Sequence, residues 1–403
     1  MRFIDSMCII LMMIVTLGAR AEEPVFIEVD EPLEGRREIR LEEQWRVGED
    51  EEDVLLGRII DAERDSEGNL YLLDEQLCQV HVFGENGEYQ TSLSRQGEGP
   101  GEVRNPADLL LMPDGNIGIL QRMPGKIELI SGEGIPAGSI IPSRKDDGTS
   151  IPMMFREAAI YGDGLVIVGS TFRGRGGTMN PRQYLSIVDM NGVEQIRILE
   201  KERVIDRSNP RYEEEKVDFV DNGRWAVGDS GFIYAAPDRS AYRIEGYSNN
   251  GSLRKIIKRN GYEPRTRTSE DKEAIAGKIA FMRRGRRRQV EAVLSDYDSA
   301  IQRLHVMPDG RLWVFHSLSR YRDTDGIFCT VDEFDEDGRY TSSIDIACDG
   351  DPRSDRLIVI DDSRFILVRG FENTAFPGDE EESVIGEWKP LIVSYLIAAS
   401  DVG

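Results

Sequence analysis

The 403-residue chain carries 74 Asp and Glu against 50 Lys and Arg, a formal charge of −24. So acidic a surface repels phosphate backbones and anionic lipid, which excludes general binding to nucleic acid or a charged membrane face. Only 4 cysteines and 3 histidines are present, and none of the histidines has metal-ligand spacing.

Residues 1–21 hold Arg2, an apolar stretch from Met7 to Leu17 and the sequence Ala19-Arg20-Ala21. This pattern reads as a cleavable secretory leader, too short to span a bilayer. The expected product is an exported, periplasmic or extracellular monomer with no membrane span, since the later apolar run at 390–399 is interrupted by polar residues. Three cysteines follow the leader, and an odd number leaves at least one thiol free or paired between molecules. Residues 22–36 read as a linker.

From there to residue 403 one unit recurs: an apolar run, a turn carrying Asp-Gly or Asn-Gly, a second apolar run, a polar loop, and a third run with another turn. Gly68 and Asn69 correspond to Gly115 and Asn116 at an offset of 47. Repeats of about 40–50 residues with several short strands are propeller blades. Blade one is expected over 58–93, blade two over 105–141, blade three over 154–199, blade four over 217–257, blade five over 300–347, and blade six from "RLIVIDDSRFILVRG" through "KPLIVSYLIA". The last blade is one strand short, and "REIRLEEQW" at 37–45 has no other partner. The expected fold is therefore all-β: a six-bladed β-propeller closed by an N-terminal strand joining the last blade, which leaves no open sheet edge. A basic insertion at 259–299 separates blades four and five.

The segments "GNLYLLDEQLCQVHVFGENGEY", "RQGEGPGEVRNP" and "DGRLWVF" resemble the NHL-like six-bladed β-propeller proteins exported by bacteria. The resemblance implies fold and export and brings no agreed catalytic residues. Some relatives in the wider superfamily are lactonases or lyases that hold a metal in the central channel, but no motif here carries those roles to particular residues.

In a four-stranded blade the Gly turns share one face, and the blade-to-blade and second-to-third-strand loops share the other. Long loops on a rigid scaffold are where binding resides, so the second face is the expected functional face. Its loops carry Arg95, Arg122, Arg173, Arg175, Arg239, Arg320 and Arg369. Guanidinium groups grip carboxylate, sulfate or phosphate in two-pronged fashion. The bland alternative is that they pair with neighbouring acids such as Glu98, Glu102, Glu372 or residues 379–382. Gly97, Gly99 and Gly101 could cradle an anion with backbone amides, or simply reverse the chain.

Lys258 to Arg288 holds 11 Lys/Arg and 4 Asp/Glu, a net of +7. Thr268 or Ser269 ahead of acidic residues signals a helix start, with Ile275, Ile279 and Met282 on one face. Such an arm suits a lid or an acidic partner. The leading reading is a non-enzymatic exported binding propeller for an anionic small ligand, a glycan or an envelope protein, with no cofactor. The alternative is a metal-dependent hydrolase or lyase in which Asp61, Asp108 and Asp218 meet in the channel, and Ca2+ is the ion such oxygens suit.

Overall fold

The computed structural model describes residues 23–48, 54–143, 153–175, 177–208, 210–228, 231–282, 290–321, 324–372 and 391–398. The leader, the basic run at 283–288 of the insertion and the acidic stretch 379–382 lie outside them. The described part is a β-propeller built of short antiparallel strands with two helices. Its strand groups are named below by the repeat units to which they correspond.

Blade one comprises Ile59–Arg64, Leu70–Asp74, Gln79–Phe83 and Tyr89–Leu93 in that order from the axis. Blade two repeats it with Pro106–Leu111, Ile117–Gln121, Lys126–Ile130 and Pro136–Ile140. Blade three has longer strands, Met153–Tyr161, Gly164–Arg175, Thr178–Asp189 and Glu194–Glu202. In blade four the innermost strand is Trp225–Val227, shorter than the repeat suggested. Residues 214–217 form a helical turn instead, and Asn222 and Gly223 both take positive φ, which ends any extended run there.

Blades five and six form one eight-stranded sheet, because a single N-terminal strand, Arg36–Val47, lies between them. Its first half pairs in parallel with Tyr340–Ala347, and its second half pairs antiparallel with Ile392–Ile397. The segment read as a linker also contains a strand. Val25–Val29 adds in parallel to Leu253–Arg259 at the rim of blade four.

The middle strands, such as Ile117–Gln121, Leu312–His316 and Arg364–Val368, are buried on both faces, packed between neighbouring blades. Inward side chains of neighbouring blades merge into clusters such as Leu70, Leu72 and Ile119 between blades one and two, and Ile39, Trp313 and Phe365 between five and six. Asp332, at 1% exposure, is buried among aromatics and fully used. It accepts Tyr242 Oη–H at 2.8 Å, Tyr340 Oη–H at 2.5 Å and Arg259 Nη1–H at 2.7 Å. Burying a carboxylate is tolerated only with such compensation, so this network ties blade four to blade five.

The three cysteines are all free. Cys329 stands opposite Ile346, two positions from the partner that a disulfide with Cys348 would need.

The N-terminal strand is also pinned to blade one. The Trp45 ring stacks on Phe83 at 5.8 Å, and its Nε1–H donates to Glu85 O at 3.1 Å. It covers Gly87 (φ +87°), where a Cβ would lie 2.6 Å from the indole, whereas Gly115 (φ +83°) has open space. Either Gly→Ala change incurs about 1–2 kcal/mol for a left-handed backbone. Gly87→Ala must in addition displace the indole, so its melting temperature should fall clearly further than that of Gly115→Ala. Equal losses in paired thermal melts would show that Trp45 does not clamp the ring.

Candidate functional site: the channel mouth and the loop face

The innermost strands repeat one irregularity. A β-bulge precedes Asp61, Asp108, Glu157 and Arg303, in blades one, two, three and five. Bulges re-aim a side chain, and here the re-aimed group bonds to the next blade. Asp61 Oδ2 accepts Leu109 N–H at 3.0 Å, and Asp108 Oδ2 accepts Ala158 N–H at 2.7 Å. Glu157 accepts the N–H groups of Asn222 and Gly223 and the Trp225 indole N–H. Between blades four and five a carbonyl takes over, Gly223 O accepting Leu304 N–H at 2.7 Å. Between five and six the polarity reverses, and Arg303 Nη1–H donates to Leu357 O at 3.3 Å.

Counted back from the turn, the same position is Arg224 in blade four and Arg356 in blade six. One repeat position is thus Asp, Asp, Glu, Arg, Arg, Arg around the axis. The half-buried channel side chains feel this arrangement. Burial, then Asp61, pushes the Asp108 carboxyl well above the usual range. Glu63, two residues beyond Asp61 on the same strand face, is raised to about 8 by burial and by Asp61. Glu157 is raised by burial and Asp221. On the other side, burial and then Arg356 and Arg320 pull Arg303 down to about 9. Arg356 is lowered by burial, while Asp61 pulls the other way. His305, next along the strand, is lowered to about 4 by burial and Arg303.

The loop-face arginines fare differently from the expected ring. Arg95 pairs with Glu102 at 2.7 Å, Arg122 with Glu75 at 3.7 Å, and Arg369 with Asp349 at 2.9 Å. Arg239 holds Glu214 at 3.0 Å and Asp218 at 3.3 Å and donates to Ser299 and Tyr297 O. Arg173 is exposed and engaged in an interaction, and the Arg175 side chain lies outside the described residues. Arg320, half-buried, has no hydrogen-bonded or ion-paired partner among the described residues.

The glycine loop is already filled by the protein's own anions. Gly99 N–H donates to Glu102 Oε2 at 2.9 Å, Gly101 N–H to Glu128 Oε1 at 2.7 Å, and Gly97 N–H to Val103 O at 3.1 Å. The Gly99 N–H and Arg95 hold the exposed Glu102 carboxyl below its usual range.

A cavity of about 290 Å³ opens on the loop face between blades three, four and five. Its wall includes Arg156, Arg224, Arg239 and Arg267, balanced by Glu214, Asp218, Asp221 and Asp298. Arg156 pairs with Asp221, Arg224 with Asp218 at 2.5 Å, and Arg267 with Glu214 and Asp298, both at 2.7 Å. Burial raises Glu214, but its bonds from Arg267 and Ser295 N–H, with the Arg239 charge, outweigh it and keep the carboxyl below its usual range. Arg156 Nε, Arg224 Nη1 and Arg239 Nε remain buried without an acceptor.

Arg267 comes from the insertion, whose helix spans Ser269–Met282. Thr268 and Asp271 cap it reciprocally, each side chain accepting the other's backbone N–H. Ile279 is buried at 5% exposure, and Lys278 reaches Glu372, in the blade-six loop after Arg364–Val368, at 2.6 Å. The described part of the insertion is therefore held through ion pairs to the protein's own acids.

The channel carboxylates expected to gather divide. Asp61 and Asp108 are within bonding contact, but Asp218 sits at the end of the helical turn with Arg224 and Arg239. Among the described residues no three His, Cys, Asp or Glu side chains assemble a cation site. Sequence reasoning missed Glu157, Arg303 and Arg356. Arg303 lies at Asp108 plus 195, where "MPDG" recurs, so aligning the repeats by that turn would have found it.

Residues 49–129 match the DUF5128 family, described as a 6-bladed beta-propeller. No curated protein matches the chain. Among solved structures, a DUF4221 family member from Bacteroides vulgatus is similar at 10% identity, covering 89% of this chain and 98% of its own, with a TM-score of 0.46. The calcium-binding protein regucalcin from Agrobacterium tumefaciens is 11% identical over 89% of this chain and 96% of its own, TM-score 0.42. Virginiamycin B lyase from Staphylococcus aureus is 9% identical over 88% and 99%, TM-score 0.43.

The channel acids make stability depend on pH. Between about pH 4.5 and 8 folded Glu63 keeps a proton that the unfolded chain has released, so its contribution to stability falls as pH rises. His305 acts in the opposite sense, but only between about 4 and 6.5. From pH 6.5 to 8 the raised channel acids act without His305, and Glu63→Gln should flatten the decline in melting temperature there. An unchanged slope would place Glu63 outside the titrating cluster.

Proposed function

We propose that the chain is an exported six-bladed propeller, closed by strand Arg36–Val47 between blades five and six, that binds an acceptor-rich anionic small ligand on its loop face. One observation carries the reading. The loop-face cavity is lined by four arginines, Arg156, Arg224, Arg239 and Arg267, and guanidinium groups grip carboxylate and phosphate oxygens. The insertion supports this reading as the cavity's wall, since Arg267 and Asp298 belong to it. Export rests on the leader at 1–21, and no helix among the described residues is long and apolar enough to cross a membrane.

Binding is favoured over hydrolysis because the channel carboxylates are occupied. Asp61, Asp108 and Glu157 each hold backbone N–H groups of the next blade, so moving one to activate water would break the ring.

A thermal-shift panel of hexuronates, dicarboxylates and neutral sugars tests the assignment. An acidic compound should raise the melting temperature, as any ligand selective for the folded state does. Gln302, an exposed residue on the cavity wall, can be replaced without breaking an ion pair. Gln302→Trp should abolish the shift. A panel with no acidic binder, or a shift that survives Gln302→Trp, would overturn the proposal.

A further inference from the structure

The ion pairs of the cavity wall are of two kinds. Arg224, Asp218, Arg239, Glu214, Arg267 and Asp298 form one alternating chain, in which Asp218 and Glu214 each serve two wall guanidinium groups and Asp298 is shared with Arg265 at 2.8 Å. Arg156 and Asp221 stand outside it. They pair with each other, and neither has another hydrogen-bonded or ion-paired partner among the described residues. Yet Asp221 is only 6% exposed, and a carboxylate so buried calls for more than one donor. A guanidinium carries five N–H groups, and Arg239 and Arg267 show that one in this wall can hold two carboxylates. The isolated pair therefore has room for one more acceptor on Arg156 and one more donor to Asp221. Beside these charges the wall has an apolar part, Tyr212 and Val217. Tyr212 is placed there by its parallel ladder with Ala292.

We infer that the ligand of this cavity is a sugar acid, a hexuronate or a short saccharide ending in one, with its carboxylate on Arg156, ring hydroxyls donating to Asp221 and an apolar ring face on Tyr212. The inference rests on the anion reading above and narrows it. At about 290 Å³ the cavity lies at the small end of small-molecule sites, roughly 300–1,000 Å³, which suits a mono- or disaccharide. A dicarboxylate or inorganic phosphate answers Arg156 but sets further negative charge against Asp221, which repels it. A neutral sugar supplies the hydroxyls and leaves Arg156 without its second carboxylate.

The test is calorimetric titration of the purified protein with galacturonate, galactose, succinate and inorganic phosphate at constant ionic strength. Galacturonate should bind saturably and the other three at least about tenfold more weakly, the loss typical of a charged hydrogen bond. Arg156→Gln should bring galacturonate down to the affinity of galactose. Asp221→Asn removes the repelling charge, so succinate should bind more tightly than in the parent and the preference for galacturonate should shrink at least about tenfold. A gain of binding does not come from misfolding, so this variant stays informative if Arg156→Gln fails to fold. Arg339→Gln, at an exposed turn on the opposite face and paired with Asp337, should bind as the parent does. Succinate or phosphate binding the parent as tightly as galacturonate, or an unchanged preference in Asp221→Asn, would overturn the sugar-acid assignment and leave the anion reading standing. Absence of binding by all the anions would overturn both.

Discussion

Innermost propeller strands fan out around the axis too far apart to form ladder hydrogen bonds with one another, yet their backbone N–H groups are buried and must be satisfied. The acid placed after a bulge answers that constraint. Asp61 serves Leu109, Asp108 serves Ala158, and Glu157 serves Asn222, Gly223 and Trp225. Each side chain belongs to one blade and bonds to the next, so the ring is held at its narrowest point by bonds that cannot form until both blades are placed.

The other properties of the channel follow from how this device is completed. A carboxylate can accept an N–H, whereas an arginine can only donate to a carbonyl. Replacing the acid by Arg303 therefore changes which group of the neighbour is bonded and leaves most of the guanidinium unspent. Acids thus hold this position on repeats one to three and arginines on the others, and burial raises the Asp108, Glu63 and Glu157 carboxyls.

At the rim the same charges are spent differently. Loop arginines meet flexible neighbouring carboxylates, and exposed pairs of that kind form wherever geometry allows while contributing little stability. The acids that neutralise Arg95, Arg122 and Arg369 are contributed by the same or the adjacent loop. The insertion follows this logic on a larger scale. Among its described residues Arg265, Arg267, Lys272 and Lys278 are paired with acids, and Arg267 and Asp298 become part of the cavity wall.

The sequence by itself determined the repeat and hence the propeller, because strand alternation and Gly turns are local properties that recur at a readable spacing. It also identified the strand at 37–45, which had no local partner and now lies against Ile392–Ile397. It narrowed the helix start to Thr268 or Ser269, since a reciprocal cap spans only three residues, and the fold uses Thr268. What it could not determine was partnership. Arg122 and Arg320 look alike in sequence, arginines of the loops after the second strands of blades two and five, and only the folded chain brings Glu75 to the first and leaves the second without an ion-paired partner among the described residues. Asp218 looked like Asp61 and Asp108 until the positive φ angles at Asn222 and Gly223 moved the strand start past it. Charge pairing is decided by distances of a few ångströms between residues as far apart in the chain as Arg64 and Asp361, and such distances exist only after the ring has closed.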